Sequence, residues 1–507
     1  MFRTAELQRN LPKEDYLQQV PRLREELLMT QMELRNAPFP VIVVFAGVDG
    51  AGKSETVNTL HEWMDSRWLM ARAFSEPSDE ERDRPEYWRF WRELPPRGRM
   101  ALFLSSWYSM PILDRVYGHT TLAEFDERLE RIKTFEKTLA DDGALILKFW
   151  MHLSRGAQKE RLRKLEKHPL LHWRISKRDW RHWELYDEFV ATAERTIMKT
   201  STGLAPWKIV EGYDERYRSV AVATIIRDAI RFRLEEAKAA SGAGNGDGAT
   251  RISKPAADAD NLPPVTILSQ LDMSKTLSKE DYDAGLKRYQ AKLNQLQRAA
   301  RERKVSTLLV FEGWDAAGKG GSIRRITAAL DARDYQVIQI AAPTDEEAAH
   351  NYLWRFWRHL PRAGRVTIYD RSWYGRVLVE RIEGFARTRE WQRAYAEIND
   401  FEAQLVERGI VLVKFWLHIT PEEQLQRFKE REQIPYKAWK LTDEDWRNRE
   451  RWGDYELAVN DLVERTSTRQ AAWTLVEAND KRHARIEVLR TLCERLEAAL
   501  AGGPKSE

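Results

Sequence analysis

The sequence predicts an α/β protein made of two tandem domains, each with a largely parallel sheet covered by helices. Three observations predict this fold class: a repeat at a constant offset, an alternation of short apolar strands with helical stretches, and a glycine-rich turn between a strand and a helix in each repeat. The alternation favours parallel strands, because parallel neighbours need a long crossover connection that is usually helical.

The repeat has a register of 266 residues. KEDY begins at Lys13 and again at Lys279, and the glycine-rich turns end at Lys53 and Lys319. The register persists through the WRFW, SWY and KFW motifs with hardly any insertions. Such a constant offset predicts a tandem duplication of one fold.

The segment between the repeats, residues 236–264, is rich in Ala, Gly, Asp and Pro and has almost nothing to bury. This composition predicts a flexible linker. We therefore expect a first domain at residues 1–235 and a second domain at residues 265–507.

Within the second repeat, the order of elements follows from hydrophobic periodicity. An amphipathic pattern predicts a helix over residues 283–303, and a short apolar run predicts a strand at Thr307–Phe311. Further strands are predicted at Tyr335–Ile340, Val366–Tyr369 and Ile410–Trp416, with helical stretches between them.

The composition excludes several classes of protein. The chain has 507 residues, with 83 Lys and Arg against 79 Asp and Glu, so its net charge of +4 is too small to indicate nucleic-acid binding by itself. The single cysteine, Cys493, can form no internal disulfide bond. No apolar run is long enough for a spanning helix, and the first residues lack a signal-peptide core. We therefore expect a cytoplasmic protein that does not contact membranes.

The second glycine-rich turn has the pattern of a phosphate-binding loop. Gly313 is followed by four residues and then by Gly318 and Lys319, directly after a strand and before a helix. Glycines let backbone N–H groups surround an anion, and Lys319 adds a mobile cation. An ordinary tight turn is the alternative, but the first repeat has the same pattern at residues 47–53.

One departure from the usual loop concerns the metal. Gly320 stands where nucleoside triphosphatases have the Ser or Thr that contacts magnesium. Asp315 in the loop and Asp370 at the end of the strand VTIYD are the candidate magnesium ligands. The alternatives are a turn-forming role for Asp315 and a helix N-cap role for Asp370.

A basic segment follows these acids. Arg371 and Arg376 lie just after Asp370, and residues 421–455 carry many cations among tryptophans. This segment is predicted to form a cationic lid. A solvated helix face is the alternative, since Glu and Asp are interspersed at spacings that favour local ion pairs.

These motifs of the second repeat resemble the polyphosphate kinase 2 family, whose pattern is GxDAAGKGG followed by a DRSWY segment and a basic lid. The matching segments are GWDAAGKGG from Gly313, RFWRHLPRAGR from Arg355, YDRSWYGR from Tyr369, KFWLHI from Lys414 and WKLTDEDWRNRE from Trp439. The resemblance covers both repeats, and the tandem arrangement is similar to the two-domain class of that family.

The resemblance implies a three-layer αβα fold of the P-loop kinase type in each repeat. It also implies transfer of the terminal phosphoryl group of inorganic polyphosphate to AMP, giving ADP, with magnesium as cofactor and reversible in principle. Carried over by position, Asp315 and Asp370 hold the metal, and Lys319 and Arg371 complete the catalytic set. The other candidate phosphate-binding residues are Gly313, Ala316, Ala317, Gly318, Gly320, Gly321, Ser322, Arg376, Arg427, Arg431, Lys437, Arg447 and Arg451.

The two repeats are not equivalent. Leu104 and Ser105 stand in the first repeat at the places of Asp370 and Arg371. Other cations of the second repeat also correspond to apolar residues of the first, namely Met110, Leu165, Leu171 and Leu185. The first repeat is therefore predicted to be non-catalytic and to pack as one half of an intramolecular pseudo-dimer. Further assembly of the chain into homo-oligomers stays open.

The first repeat nevertheless keeps Asp49, Gly52 and Lys53 and gains Ser54, so phosphate binding by that repeat stays open. Two other functions also stay open: an ATP-dependent nucleotide kinase of similar fold, and a non-catalytic protein that binds polyanions or RNA. The acceptor could be AMP, GMP or ADP, because no base-recognition motif is visible.

Overall fold

The computed structural model describes residues 1–242, 266–434 and 442–502, which form two compact units. Unit 1 lies within Met1–Pro77, Arg89–Gly246 and Asp345–Asn351. Unit 2 lies within Ser78–Trp88, Asp247–Thr344 and Tyr352–Glu507. Each unit thus includes one short segment from the other repeat, which the sequence did not indicate. The predicted domain limits, 1–235 and 265–507, stay predictions.

The first repeat contains a five-stranded parallel sheet with the strand order β2-β3-β1-β4-β5. Its strands are β1 Val41–Gly47, β2 Leu69–Ala73, β3 Met100–Leu104, β4 Leu145–His152 and β5 Trp207–Glu211. Its α-helices are α1 Lys13–Leu34, α2 Lys53–Trp63, α3 Asp79–Arg82, α4 Trp88–Arg92, α5 Ser109–Val116, α6 Leu122–Asp141, α7 Arg155–Glu166, α8 Lys177–Glu184, α9 Tyr186–Thr200 and α10 Glu215–Gly242, with 3-10 turns at Phe2–Ala5, Ser66–Trp68 and His172–Arg174.

The second repeat contains a parallel sheet of the same order, β7-β8-β6-β9-β10. Its strands are β6 Thr307–Gly313, β7 Tyr335–Gln339, β8 Val366–Asp370, β9 Val411–His418 and β10 Trp473–Glu477. Its α-helices are α11 Lys279–Glu302, α12 Lys319–Thr327, α13 Asp345–Ala348, α14 Trp354–Trp357, α15 Val379–Ile382, α16 Thr388–Glu407, α17 Pro421–Glu432, α18 Asp443–Glu450, α19 Trp452–Thr466 and α20 Lys481–Ala501, with 3-10 turns at Leu268–Gln270 and Trp373–Val377.

These sheets confirm the predicted α/β class. The predicted helix at residues 283–303 and the four predicted strands of the second repeat are present, with ends shifted by a few residues. Residues 236–242 of the predicted linker instead continue the helix α10, and the rest of that linker lies outside the described residues. None of the described helices has the length and apolar character needed to cross a membrane.

The central strand of each sheet is fully buried, which explains its continuous apolar sequence. Leu308–Phe311 of β6 and Val41–Phe45 of β1 have almost no exposed surface. In unit 2, Phe311 of β6 pairs with Asp370 of β8. The carboxyl ends of these two strands therefore meet at one edge of the sheet, where ligands of open α/β sheets bind.

The SWY and KFW motifs form the same buried network in both repeats. In unit 2, Lys414 Nζ lies 2.7 Å from Glu402 Oε2 and donates to Tyr374 Oη at 2.8 Å, and Trp373 Nε1 donates to Glu402 Oε1 at 3.1 Å. The first repeat reproduces these contacts with Lys148, Glu136, Tyr108 and Trp107. Because both repeats keep the network, these motifs support the fold.

Candidate phosphate-binding site

The glycine-rich turn of unit 2 connects β6 to α12 and has the shape that its sequence predicts. Gly313 has φ of 145°, and a methyl group there would lie 2.5 Å from Leu417 O, so only glycine fits. Gly318 has φ of 109° and directly precedes α12. Methyl groups added at Gly318 or Gly320 would meet no atom of the described residues within 4 Å, so this side of the loop is open among them.

Lys319, the first residue of α12, folds back over this loop. Its Nζ donates to Gly313 O at 2.6 Å and to Trp314 O at 3.2 Å. Burial lowers the pKa of the Lys319 ammonium, although the Asp315 carboxylate opposes that shift. A cation held by carbonyl oxygens is available to move onto a phosphate oxygen.

Asp315 is held by groups from three parts of unit 2. Its Oδ1 accepts from Arg371 Nη2 at 2.9 Å and its Oδ2 accepts from Asn448 Nδ2 at 3.0 Å, while Gln424 Nε2 donates to its backbone oxygen at 3.1 Å. Burial alone would raise the pKa of this carboxyl, but the charges of Lys319 and Arg371 lower it. Asp315 is therefore an anion in the loop and does more than form a turn.

Asp370 lies at the end of β8, half-exposed, and its carboxylate has no hydrogen-bonding partner among the described residues. It is not a helix N-cap, because Ser372 caps the following 3-10 turn. The next residue, Arg371, has φ of 64°, a left-handed conformation that non-glycine residues rarely adopt and that costs about 1 kcal/mol. This conformation places Arg371 where its guanidinium reaches Asp315.

Glu312, the residue before Gly313, was missed by the sequence reasoning. It is 5% exposed and accepts from Ser372 Oγ at 2.8 Å. Burial raises the pKa of this carboxyl, and the nearby charges of Lys319 and Arg371 counteract the rise. A comparison of the two repeats could have identified this residue, because the first repeat has Ala46 at the place of Glu312.

The predicted lid cations fall into two groups. Arg431 is half-buried and Arg447 is exposed, and neither side chain has a partner among the described residues. Arg376 and Arg451 are instead paired with carboxylates, at 3.0 Å from Glu380 and 3.2 Å from Asp454. Lys437 lies outside the described residues.

Arg427 in α17 has a supporting position. The guanidinium has five N–H donors, and it makes five hydrogen bonds. Its partners are Glu423 Oε1 and the backbone oxygens of Ala316, Ala317, Ala478 and Asn479. In this structure it holds the loop in place, so its predicted contact with phosphate remains a prediction.

Aromatic contacts join the loop to α19. Trp314 stacks on Trp452 with ring centroids 3.6 Å apart, and its Nε1 donates to His418 Nδ1 at 3.1 Å. Tyr455 Oη donates to Asn448 Oδ1 at 2.9 Å, which orients the amide that binds Asp315. Trp314 and Trp452 thus pack against each other beside the loop.

The corresponding loop of unit 1 has a different environment. Lys53 Nζ donates to Gly47 O at 2.6 Å, but Asp49 Oδ2 lies 2.5 Å from His182 Nδ1. Burial alone would raise the pKa of Asp49, but the His182 hydrogen bond and the Lys53 charge lower it to about 2. Leu104 ends the neighbouring strand without a carboxylate.

The described residues contain no group of three or more His, Cys, Asp or Glu side chains that could hold a metal ion. Magnesium sites in phosphoryl-transfer proteins usually need only one or two carboxylates, because substrate phosphates and water complete the shell. The donor chemistry of Asp315 and Asp370 fits that requirement, and both charges act on Lys319.

Comparisons with known proteins cover both repeats. A family model described as polyphosphate kinase 2 matches residues 10–238 and 276–502. The chain is 51% identical over 500 residues to polyphosphate:AMP phosphotransferase of Pseudomonas aeruginosa, covering 98% of this chain and 99% of that protein. It is 38% identical to the protein of the same name from Acinetobacter johnsonii, and the match covers 93% of this chain and 94% of that protein.

A solved structure agrees with these sequence matches. A crystal structure described as a polyphosphate kinase 2 from Pseudomonas aeruginosa PA01 superposes with a TM-score of 0.87 at 49% identity, covering 100% of both chains. A shorter relative, ADP-polyphosphate phosphotransferase 2 of Rhizobium meliloti, is 41% identical over 220 residues and matches 43% of this chain and 72% of that protein.

Proposed function

The chain belongs to the polyphosphate kinase 2 family, and from this premise we propose that it transfers the terminal phosphoryl group of inorganic polyphosphate to AMP, giving ADP. The similarity to the AMP phosphotransferases extends over both repeats, whereas the ADP-polyphosphate phosphotransferase matches less than half of the chain. The observation that carries the proposal is that Lys319 and Asp315 lie on one phosphate-binding loop and that Arg371, from the end of the neighbouring strand, contacts this loop at Asp315.

In the reaction, an α-phosphate oxygen of AMP attacks the terminal phosphorus of polyphosphate. The bond from that phosphorus to the bridging oxygen breaks, and the shortened polyphosphate leaves with the electron pair. The attacking oxygen is already an anion, so no general base is required. Alignment and positive charge around the transferred group are the main contributions of the protein.

The residues of unit 2 supply that charge. The backbone N–H groups at the start of α12 and the Lys319 ammonium bind the transferred phosphoryl group, and Arg371 neutralises its oxygens. Arg371 is held ready by Asp315 at 2.9 Å. Arg431 and Arg447 extend the cationic surface, whereas Arg427 positions the loop.

Magnesium is the proposed cofactor, with Asp315 and Asp370 as its protein ligands. When bound, it screens the charge between donor and acceptor phosphates. Asp370 is the better first ligand, because its carboxylate is unpartnered among the described residues, whereas Asp315 is engaged by Arg371 and Asn448.

The experiment that tests this function compares donors. With AMP and magnesium, we expect ADP from polyphosphate and at most trace product from ATP. ADP formation from ATP at an equal or higher rate would instead identify an ATP-dependent nucleotide kinase. Binding of polyphosphate or RNA without turnover would identify a non-catalytic polyanion-binding protein.

A further inference from the structure

A cationic recess lies beside the first turn of α12 in unit 2. A methyl group added at Gly321 would lie 3.4 Å from Arg485 Nη2 in α20. The Arg485 side chain is half-buried and makes no hydrogen bond or ion pair with any described residue. Among the described residues, the phosphate-binding loop therefore has an unpaired guanidinium at its side, next to a surface that glycines leave open.

Lys481, in the first turn of α20, adds a second cation to this recess. Its Nζ is 3.8 Å from Glu430 Oε2, which is a weak ion pair at an exposed position. Burial and the neighbouring charges of Arg427 and Arg485 lower the pKa of Lys481. Cations also interact unfavourably with the positive end of a helix dipole. Folding alone does not favour this concentration of positive charge, but an anionic ligand would.

The same recess is filled in unit 1. Arg218 stands where Ala484 stands in the second repeat, and a methyl group added at Gly52 would lie 2.2 Å from its Cζ. Arg218 is fully buried, and its Nη2 donates to Glu55 Oε2 at 2.7 Å. Glu55 itself stands where the second repeat has Gly321.

The two cations of the recess also have no cationic counterparts at the same positions of the first repeat. Glu215 and Ser219 stand in unit 1 at the places of Lys481 and Arg485. The first repeat thus neutralises the recess with its own side chains, whereas the second leaves it open and positive. Cations in an open recess beside the loop stabilise a bound anion that extends beyond the loop.

We propose that Arg485 and Lys481 bind inner phosphates of the polyphosphate donor as its chain leads away from the loop. This proposal rests on the proposed function, because it names which part of the donor the recess contacts. A nucleoside triphosphate presents an uncharged sugar and base beyond its phosphates, whereas polyphosphate presents a negative charge at every phosphate. Two cations here therefore favour polyphosphate over ATP as the donor.

The test uses the full chain with Arg485→Gln and Lys481→Gln, singly and together. We expect the double variant to lose at least tenfold in kcat/KM for long-chain polyphosphate, with a smaller loss for tripolyphosphate, while KM for AMP keeps its wild-type value. Arg485→Lys should recover part of the loss. Arg495→Gln, at an exposed position two to three turns further along the same helix, is the matched control and should match the wild type.

Two outcomes would overturn the proposal: an unchanged kcat/KM for long-chain polyphosphate, or a loss that falls on KM for AMP instead. Thermal unfolding of each variant separates loss of binding from loss of folding. Failure of the proposed function itself appears separately, because the wild-type chain would then not use polyphosphate as donor at all.

Discussion

At the carboxyl end of its central strand, the first repeat has Ala46 where the second has Glu312, and the neighbouring strand ends in Leu104 where the second ends in Asp370. The two repeats share their strand order, the left-handed residue that follows β3 and β8, and the buried lysine network. The shared features support the fold, and those confined to the second repeat surround the phosphate-binding loop.

The two repeats also differ in the surroundings of their glycine-rich loops. Lys53 and Lys319 make the same contacts with backbone oxygens. Only Lys319, however, has Arg371 and Asp370 nearby, whereas the loop of Lys53 is covered by Arg218 and Glu55. The same sequence pattern therefore has different surroundings in the two repeats, and Arg218 comes close to the loop glycine Gly52 only in the first.

The largest expected effect comes from Asp370→Asn. We expect turnover to fall at least a thousandfold, about 4 kcal/mol of barrier, because the change removes a metal-binding charge. The unfolding midpoint should stay at the wild-type value, since this carboxylate has no partner among the described residues and the amide has nearly the same volume. Steady-state kinetics and thermal unfolding check both parts. Turnover within tenfold of the wild type would remove Asp370 from the site.

The shared network should behave alike in the two repeats. Glu136→Ala and Glu402→Ala each leave a buried lysine without its carboxylate, which costs about 3 kcal/mol in the free energy of unfolding. Denaturant unfolding followed by tryptophan fluorescence measures both. A large loss in the free energy of unfolding for one variant and none for the other would contradict the conclusion that this network supports the fold in both repeats.

Acid should destabilise unit 2 through His418. Burial lowers the pKa of this imidazole to about 4, against about 6.5 when unfolded. The unfolded state therefore binds more protons between these values, so stability falls as the pH drops below about 6.5, by about 2 kcal/mol at pH 5. His418→Gln should remove this part of the pH dependence.

Unfolding curves at pH 7 and pH 5 provide the measurement. Identical pH dependence in the wild type and the His418→Gln variant would contradict the expectation. In unit 1, burial also lowers the pKa of His152, but Glu6 lies 2.9 Å from its Nε2 and opposes the shift. The matched His152→Gln variant should therefore change the acid dependence less.

The smallest expected effect comes from Glu312→Gln, which keeps a hydrogen-bond acceptor for Ser372 but removes the carboxyl that interacts with Lys319 and Arg371. We expect about a tenfold loss of kcat, about 1.4 kcal/mol, because the two cations lose this interaction. Ser372→Ala should lower kcat less. Ser106→Ala, the matched change in unit 1, should have no effect, since Ser106 Oγ has no partner among the described residues. A normal kcat for Glu312→Gln would contradict this positioning role.

Local pattern predicted much of the fold. The constant offset, the apolar strand Thr307–Phe311 and the loop ending at Lys319 are all local features, and the structure contains each of them. The strand β10 Trp473–Glu477 was not predicted, because its five residues include polar and half-buried positions and have no distinctive alternation.

The candidate site was less predictable, because its contacts join distant parts of the chain. Arg427 was predicted to bind phosphate, yet backbone oxygens take nearly all of its donors. Asn448 and Gln424 are ordinary polar residues until folding brings them to Asp315. Arg485 lies in a C-terminal helix outside every motif, and only its proximity to Gly321 indicates a role.

The central claim is that the second repeat performs the reaction and the first does not. The most direct measurement is ADP formation from polyphosphate and AMP by full-length Lys319→Ala and Lys53→Ala, assayed side by side with their unfolding midpoints. The account predicts a loss of at least a thousandfold for Lys319→Ala and a rate within about twofold of the wild type for Lys53→Ala. Equal losses in two variants that remain folded would contradict it.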